Sequence, residues 1–256
     1  MTMPFYVAPE QFMKDKADFA RKNIARGRPL VATVYDRGVL ICAENSSRSL
    51  HKVSEIYDRV AFAGVGKYNE FDQLRVSGVQ AADLKGYQFS REDVDARSLA
   101  NLYARYMGNV FTHEMKPLEV EILVAEVGPR VGEDHMFHIL YDGTVMDEDH
   151  FTALGGESDA ISGRMDRAYS AGWLIGEALR ASVSALGGDR HLGPTELEVA
   201  VLERGNGRRA FRRIVEPELS ALLGETAEPE GGGAGETPAP AGGDAGETPS
   251  PAGQPD

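Results

Sequence analysis

A single cysteine, a single tryptophan and no apolar run approaching the ~20 residues of a spanning helix set the first limits on this 256-residue chain. With Cys42 alone, an internal disulfide is impossible and a cysteine-based metal cluster lacks the further thiolates it needs, which fits a reducing compartment. Residues 1–10 lack the charged-then-apolar layout of a signal peptide, so a soluble cytoplasmic protein is expected. Basic residues are also scarce: 27 Lys and Arg stand against 40 Asp and Glu, for a formal charge of -13. Such a balance leaves no electrostatic footprint for nucleic acid or an anionic membrane. The one local cluster, Arg21, Lys22, Arg26 and Arg28, falls at the end of an expected helix, where cations suit the negative end of the dipole.

The acidity is uneven. Residues 225–256 hold seven acidic residues, no basic ones and two near-copies of Ala-Gly-Glu-Thr-Pro-x-Pro-Ala-Gly, which leaves -6 for residues 1–224. A segment this poor in apolar side chains cannot offset its ordering entropy and is expected to be a disordered acidic tail. The remaining length suits one large domain.

Along the body, Pro9 suits a first helical position, and Met13, Ala17, Ala20 and Ile24 recur at spacings of three and four, predicting a helix over 9–26 that Gly27 and Pro29 end. The residues before Pro9 have no visible partner and are expected to be mobile. Four short strands follow, at 29–35, 38–44, 52–57 and 60–64, with a polar link at Asn45 to Leu50. Helices are expected over 68–85 and over 91–114, the second opened by a capping-box-like Ser90 and Asp93. Strands at 119–127, 136–141, 144–147 and 151–154 precede helices at 158–169 and 171–186, a hairpin of 197–203 with 209–215, and a short helix at 216–223. Because strands arrive in antiparallel runs instead of alternating with helices, a parallel nucleotide-binding sheet is disfavoured. The pattern predicts an α+β fold of two stacked antiparallel sheets covered by helices.

This order, with Arg28-Pro-Leu-Val-Ala-Thr-Val-Tyr35, Gly38-Val-Leu-Ile-Cys-Ala-Glu-Asn45, Ser49-Leu-His-Lys-Val-Ser-Glu-Ile-Tyr-Asp-Arg59 and Leu197-Glu-Val-Ala-Val-Leu-Glu203, resembles proteasome α subunits of the actinobacterial type, within the N-terminal-nucleophile hydrolase superfamily. The resemblance covers about residues 4–224. It implies a four-layer αββα sandwich in 9–224 and a non-catalytic role in a seven-membered ring of α subunits that caps β subunits. It further implies passage of unfolded protein substrates and docking of a hexameric AAA ATPase activator. Carried over by residue, Met1, Thr2, Met3, Pro4, Phe5, Tyr6, Val7, Ala8 and Pro9 correspond to the gate over the axial pore, with residues 1–8 as its moving part. Ala8-Pro9-Glu10 stands where relatives carry a Ser-Pro-acidic turn. Asp18 and Arg21 match charges at subunit boundaries, and Gly27 matches a pocket glycine. Lys52 aligns with a lysine that receives the C-terminal carboxylate of the activator, a fit for an ammonium with three donors, while Gly66 lets a partner backbone approach.

Other chemistry is weaker. A threonine nucleophile of this superfamily uses its own α-amine as base and so must begin the chain. Thr33 is internal, and cleavage at Gly143-Thr144, the sole Gly-Thr step, cuts an expected hairpin turn. The alternative is an active amidohydrolase made as a proenzyme, released by cleavage before a Thr, Ser or Cys. Gly64-Val-Gly-Lys67 lacks the phosphate-loop frame, and Gly156-Glu-Ser158 lacks the second glycine of a nucleophile elbow because Ala160 replaces it. His135 and His138, three apart in an expected strand, point to opposite faces, which argues against shared metal ligation. Asp147-Glu-Asp-His150 reads as an exposed acidic loop and Cys42 as a core residue. No catalytic, metal or cofactor residue is assigned.

Overall fold

The computed structural model describes residues 8–47 and 49–224. Residues 1–7, which hold most of the expected gate, and the tail at 225–256 lie outside the described residues.

Alternating side chains build two sheets, each with both faces covered. β1 (Leu30–Tyr35), β2 (Gly38–Glu44), β8 (Phe151–Leu154), β9 (Leu197–Glu203) and β10 (Phe211–Ile214) form one, in the order β10-β9-β2-β1-β8. β3 (Val53–Tyr57), β4 (Val60–Gly66), β5 (Val120–Glu126), β6 (His135–Ile139) and β7 (Val145–Glu148) form the other, in sequential order. Every pairing is antiparallel. The period of two divides each strand: Leu30, Ala32, Val39, Ile41, Ala61, Ala63, Leu123 and Ala125 meet between the sheets. Val31, Leu40, Cys42 and Val199 face outward under α4 (Ser158–Ala168), α5 (Ile175–Gly187) and α6 (Glu218–Leu223). Phe62, Ile122 and Val124 face outward under α2 (Tyr68–Gln88) and α3 (Ala96–His113). The layers are therefore helix, sheet, sheet, helix, as expected.

α1 (Pro9–Ile24) opens on Pro9 and ends two residues before the expected 26. It buries Ala20 and Ile24 against Tyr141 and sends Lys16, only 5% exposed, to the end of α3. The Lys16 ammonium donates to the Phe111 and Glu114 carbonyls at 3.0 and 2.5 Å, capping carbonyls that lack helical partners.

Three of the boundaries that differ from expectation have a visible cause. Residues 91–114 are not one helix: Ser90 caps a short 3₁₀ turn at Arg91–Asp93, Val94 is extended and buried, and α3 begins at Ala96. Asp95 is its cap, accepting from the Ser98 amide at 2.7 Å, while buried Glu126 accepts from the Ala96 amide at 2.8 Å. These carboxylates stabilise the positive helix end at the point where Val94 turns into the core. α5 starts at Ile175, not 171, since Gly172 adopts φ +82° and the Trp173 carbonyl accepts from the Asp36 amide at 2.9 Å. β10 is shorter than 209–215 because the Ala210 amide turns to the Asp58 carbonyl of the opposite sheet, at 2.8 Å.

Candidate functional site

The polar link after β2 is an organised turn. The Asn45 side chain donates to the Leu50 carbonyl at 2.7 Å and accepts from the Ser47 amide at 3.0 Å, while the Ser47 hydroxyl accepts from the Leu50 amide at 3.1 Å. It delivers the chain to Lys52, whose carbonyl accepts from the Gly64 amide at 3.1 Å just before the ladder of β3 and β4 begins. The Lys52 ammonium reaches back to the Arg28 carbonyl at 2.5 Å, one residue from Gly27. Gly27 in turn lies against Gly66, since a Cβ on Gly27 would stand 3.1 Å from the Gly66 amide nitrogen. The fold thus gathers Lys52, Gly27 and Gly66, which are far apart in sequence, at the joint between α1 and β1.

The electrostatics there are specific. Burial pushes the Lys52 ammonium down to about 8, with the carboxylates of Glu44 and Glu198 opposing that fall and Arg28 adding to it. Glu44 is held below the ordinary carboxylate range, chiefly by hydrogen bonds from Arg190 at 2.9 and 3.3 Å. Arg28 lies 4.0 Å from the same carboxylate and donates to the Ser46 hydroxyl at 2.6 Å. Around Lys52, therefore, both acids already have strong partners, and the lysine's own contact is a neutral carbonyl. A desolvated cation in that position gains from an incoming carboxylate.

Asp18 and Arg21 sit elsewhere, on the outward side of α1. They form an i,i+3 pair at 3.5 Å with side chains 60% and 65% exposed, and Arg21 also lies over the Tyr141 ring, 5.6 Å from its centre. Of the gate residues, Ala8 and Pro9 are described: the Ala8 carbonyl accepts from the Phe12 amide at 3.0 Å as α1 begins.

Nucleophile geometry is absent at Thr33. Its side chain is fully buried in mid-strand, its hydroxyl donates to the His150 carbonyl at 3.3 Å, and it pairs with Leu40 and Phe151 in the ladders on either side. Thr144 lies in a turn whose amide donates to Asp142 at 2.9 Å. His138 is buried beside Glu121 at 3.3 Å while His135 is exposed, so the two do face apart. Among the described residues no group of three His, Cys, Asp or Glu side chains is arranged to hold a metal, and no helix is long and apolar enough to cross a membrane. Burial raises the Cys42 thiol to about 12, which keeps it protonated and inert.

Sequence reasoning missed Glu198. It is the second residue of β9, and an acid inside the otherwise apolar run from Leu197 to Leu202 was the available signal. Its carboxylate accepts from the Lys52 and Val53 amides at 2.8 and 3.2 Å.

Comparison with known proteins gives the family. Residues 24–201 match the family model described as proteasome subunit. Over 232 residues the chain is 62% identical to "Proteasome subunit alpha" of Acidimicrobium ferrooxidans, covering 90% of this chain and 99% of that protein. It is 53% identical over 236 residues to the protein of the same description from Kineococcus radiotolerans, covering 88% and 100%. With that from Sanguibacter keddieii it shares 53% identity over 237 residues, covering 90% and 93%.

Proposed function

The chain belongs to the proteasome subunit family, and we propose that it is a non-catalytic α-ring subunit that admits substrates to a proteolytic chamber and docks an activator. The observation that carries the non-catalytic part is α1. This helix is bonded through Lys16 to the end of α3 and buries Ala20 and Ile24, and the chain then runs through Pro29 directly into the β1 ladder. A nucleophile of this superfamily needs a free α-amine at the strand start, and that place is taken by continuous, packed polypeptide.

In this reading seven copies form a ring through boundaries that include Asp18 and Arg21, stack on β subunits, and guard the axial opening with residues 1–8 ahead of Pro9. Unfolded protein substrates pass through, and a hexameric AAA ATPase inserts its C-terminal carboxylate beside Lys52, against the small surfaces of Gly27 and Gly66. The setting is the cytoplasm. The acidic body and tail give it no role with nucleic acid or membrane.

Co-expression with a β subunit from the same genome tests the assembly, with electron microscopy of the purified product and intact-mass measurement of this chain. Stacked rings containing full-length polypeptide support the reading. A trimmed chain that begins at Thr, Ser or Cys and hydrolyses amides by itself overturns it in favour of a proenzyme.

A further inference from the structure

Glu198 is buried, with a side chain only 9% exposed, and it stands on β9, in the sheet opposite the strand that follows Lys52. One carboxylate oxygen accepts from the Asn45 amide group at 2.7 Å and the Lys52 amide at 2.8 Å. The other accepts from the Val53 amide at 3.2 Å and the Arg213 guanidinium at 2.6 Å, with a His51 ring nitrogen at 3.3 Å. A carboxylate offers about four acceptor sites, so the group is fully engaged. Its partners come from three places: the turn after β2, the start of β3, and β10.

Structural need alone is a poor explanation for a charge here. Removing two ions from water is costly, and a buried ion pair such as Glu198 with Arg213 often stabilises no more than an apolar pair of the same shape. What an apolar pair cannot do is hold two consecutive amides. Lys52 is gripped from both sides, its carbonyl by Gly64 of β4 and its amide by Glu198 of β9, so the root of its side chain is fixed against both sheets.

We propose that Glu198 is a positioning residue of the carboxylate-docking site: by binding the amides of Lys52 and Val53 across the sheets, it fixes where the Lys52 ammonium stands. This rests on the docking reading of Lys52 given above. Glu198 also acts at the ammonium itself. The charged groups that face Lys52 are Glu44, Glu198 and Arg28, and the two acids favour its protonated form. Loss of the Glu198 charge therefore both loosens the lysine and moves its titration to lower pH.

The test uses assembled particles with β subunits and two synthetic peptides of the activator's C-terminal sequence, one ending in a free carboxylate and one amidated. Glu198→Gln keeps the shape but leaves one oxygen to serve donors that now need two, and it is expected to weaken the carboxylate peptide about 5- to 10-fold. The amidated peptide is unaffected, and the alkaline midpoint of carboxylate binding moves down in pH. Arg213→Lys, which keeps a cation beside Glu198 and both amide bonds, is expected to change carboxylate binding less than Glu198→Gln does. Where Glu198→Gln does not assemble, Glu198→Asp carries the test: the charge is kept at shorter reach, so affinity falls while the midpoint stays. Wild-type affinity and midpoint in the Glu198 variants, with carboxylate preference lost in Lys52→Ala, overturns the positioning role and leaves docking intact. Carboxylate preference that survives Lys52→Ala overturns the docking reading, and the role of Glu198 with it.

Discussion

Gly27 packs against Val65 with no space for a side chain: a Cβ on Gly27 would stand 2.7 Å from Val65 Cγ1 and 3.1 Å from the Gly66 amide nitrogen. Gly66 itself has φ +112°, and its own Cβ would overlap the Glu119 carbonyl oxygen, which is fixed backbone. The two glycines are thus demanded by the fold itself. Gly66→Ala is expected to destabilise the subunit by about 3 kcal/mol or more, because strain and backbone overlap add. Gly27→Ala meets the buried Val65 side chain and, less tightly, backbone atoms at 3.0 and 3.1 Å, without the strain of a positive φ, and should cost about 1–2 kcal/mol. Urea denaturation checks the order; equal losses would mean that the positive φ of Gly66 and its closer overlap with backbone add nothing.

Asp95→Ala removes the cap of α3 and also the partner of Lys85, whose ammonium lies 2.7 Å from the Asp95 carboxylate. The expected loss is about 1–2 kcal/mol, read by thermal melting. The neighbouring Lys85 and the Ser98 bonds hold Asp95 below the ordinary carboxylate range even though its partial burial pushes the other way. Its folded value is depressed, so its contribution is present above the ordinary carboxylate range and fades as pH falls through the folded value. Ser90→Ala, which caps only a three-residue turn, should cost well under half as much.

The same pair of residues shows what was legible in the sequence. Alternation and helical spacing carry the layer order, because the hydrophobic effect writes a period of two or 3.6 wherever one face is buried. They do not reveal which of several acids in Glu92-Asp-Val-Asp95 will meet a free amide. That choice was made by Val94, which is pulled into the core by contacts from distant strands. Trp173 was misplaced on a helix for a similar reason: its carbonyl is claimed by Asp36, 137 positions away in the chain. At the site, Lys52 and the two glycines came from resemblance to a family. Glu198 came only from the structure, since its four donors and the His51 ring converge from segments that no local pattern connects.

Arg204 and Asp134 form an ion pair with side chains 13% and 2% exposed, in close contact. Asp134 also accepts from the Gly128 amide at 2.9 Å, and Arg204 donates to the Asp36 carbonyl at 3.3 Å, so the pair ties the turns of both sheets together. Arg204→Met strands a buried carboxylate and is expected to cost about 3–5 kcal/mol. The double variant Arg204→Met with Asp134→Leu should recover a large part of that loss in urea denaturation. No recovery would mean that the Arg204 bonds to backbone carbonyls, and not the stranded charge, carry the cost.

Asp18 and Arg21 are too exposed to stabilise the subunit that holds them, where a pair of this kind is worth about 0.5 kcal/mol or less. Arg21→Glu should leave the melting temperature of the unassembled chain within experimental error, yet lower the yield of rings seen by native mass spectrometry. Intact ring yield would remove these two residues from the subunit boundary.

Lys52 supplies a prediction in which stability and binding move in opposite directions with pH. Burial lowers its value to about 8 from the ordinary 10.5, so between those two the unfolded chain binds the proton more readily than the folded one. Stability contributed through this group therefore rises with pH across that window. Docking of a carboxylate needs the ammonium and must do the reverse, falling about tenfold per pH unit above 8 once the proton has to be taken up on binding. Lys52→Arg stays charged throughout, and although its planar head cannot reproduce the lysine's contact, it should flatten the pH dependence even as overall affinity drops. Binding of the carboxylate peptide followed from pH 7 to 10 reads both slopes. A flat wild-type profile would separate the ammonium of Lys52 from carboxylate recognition, whatever the affinity at neutral pH.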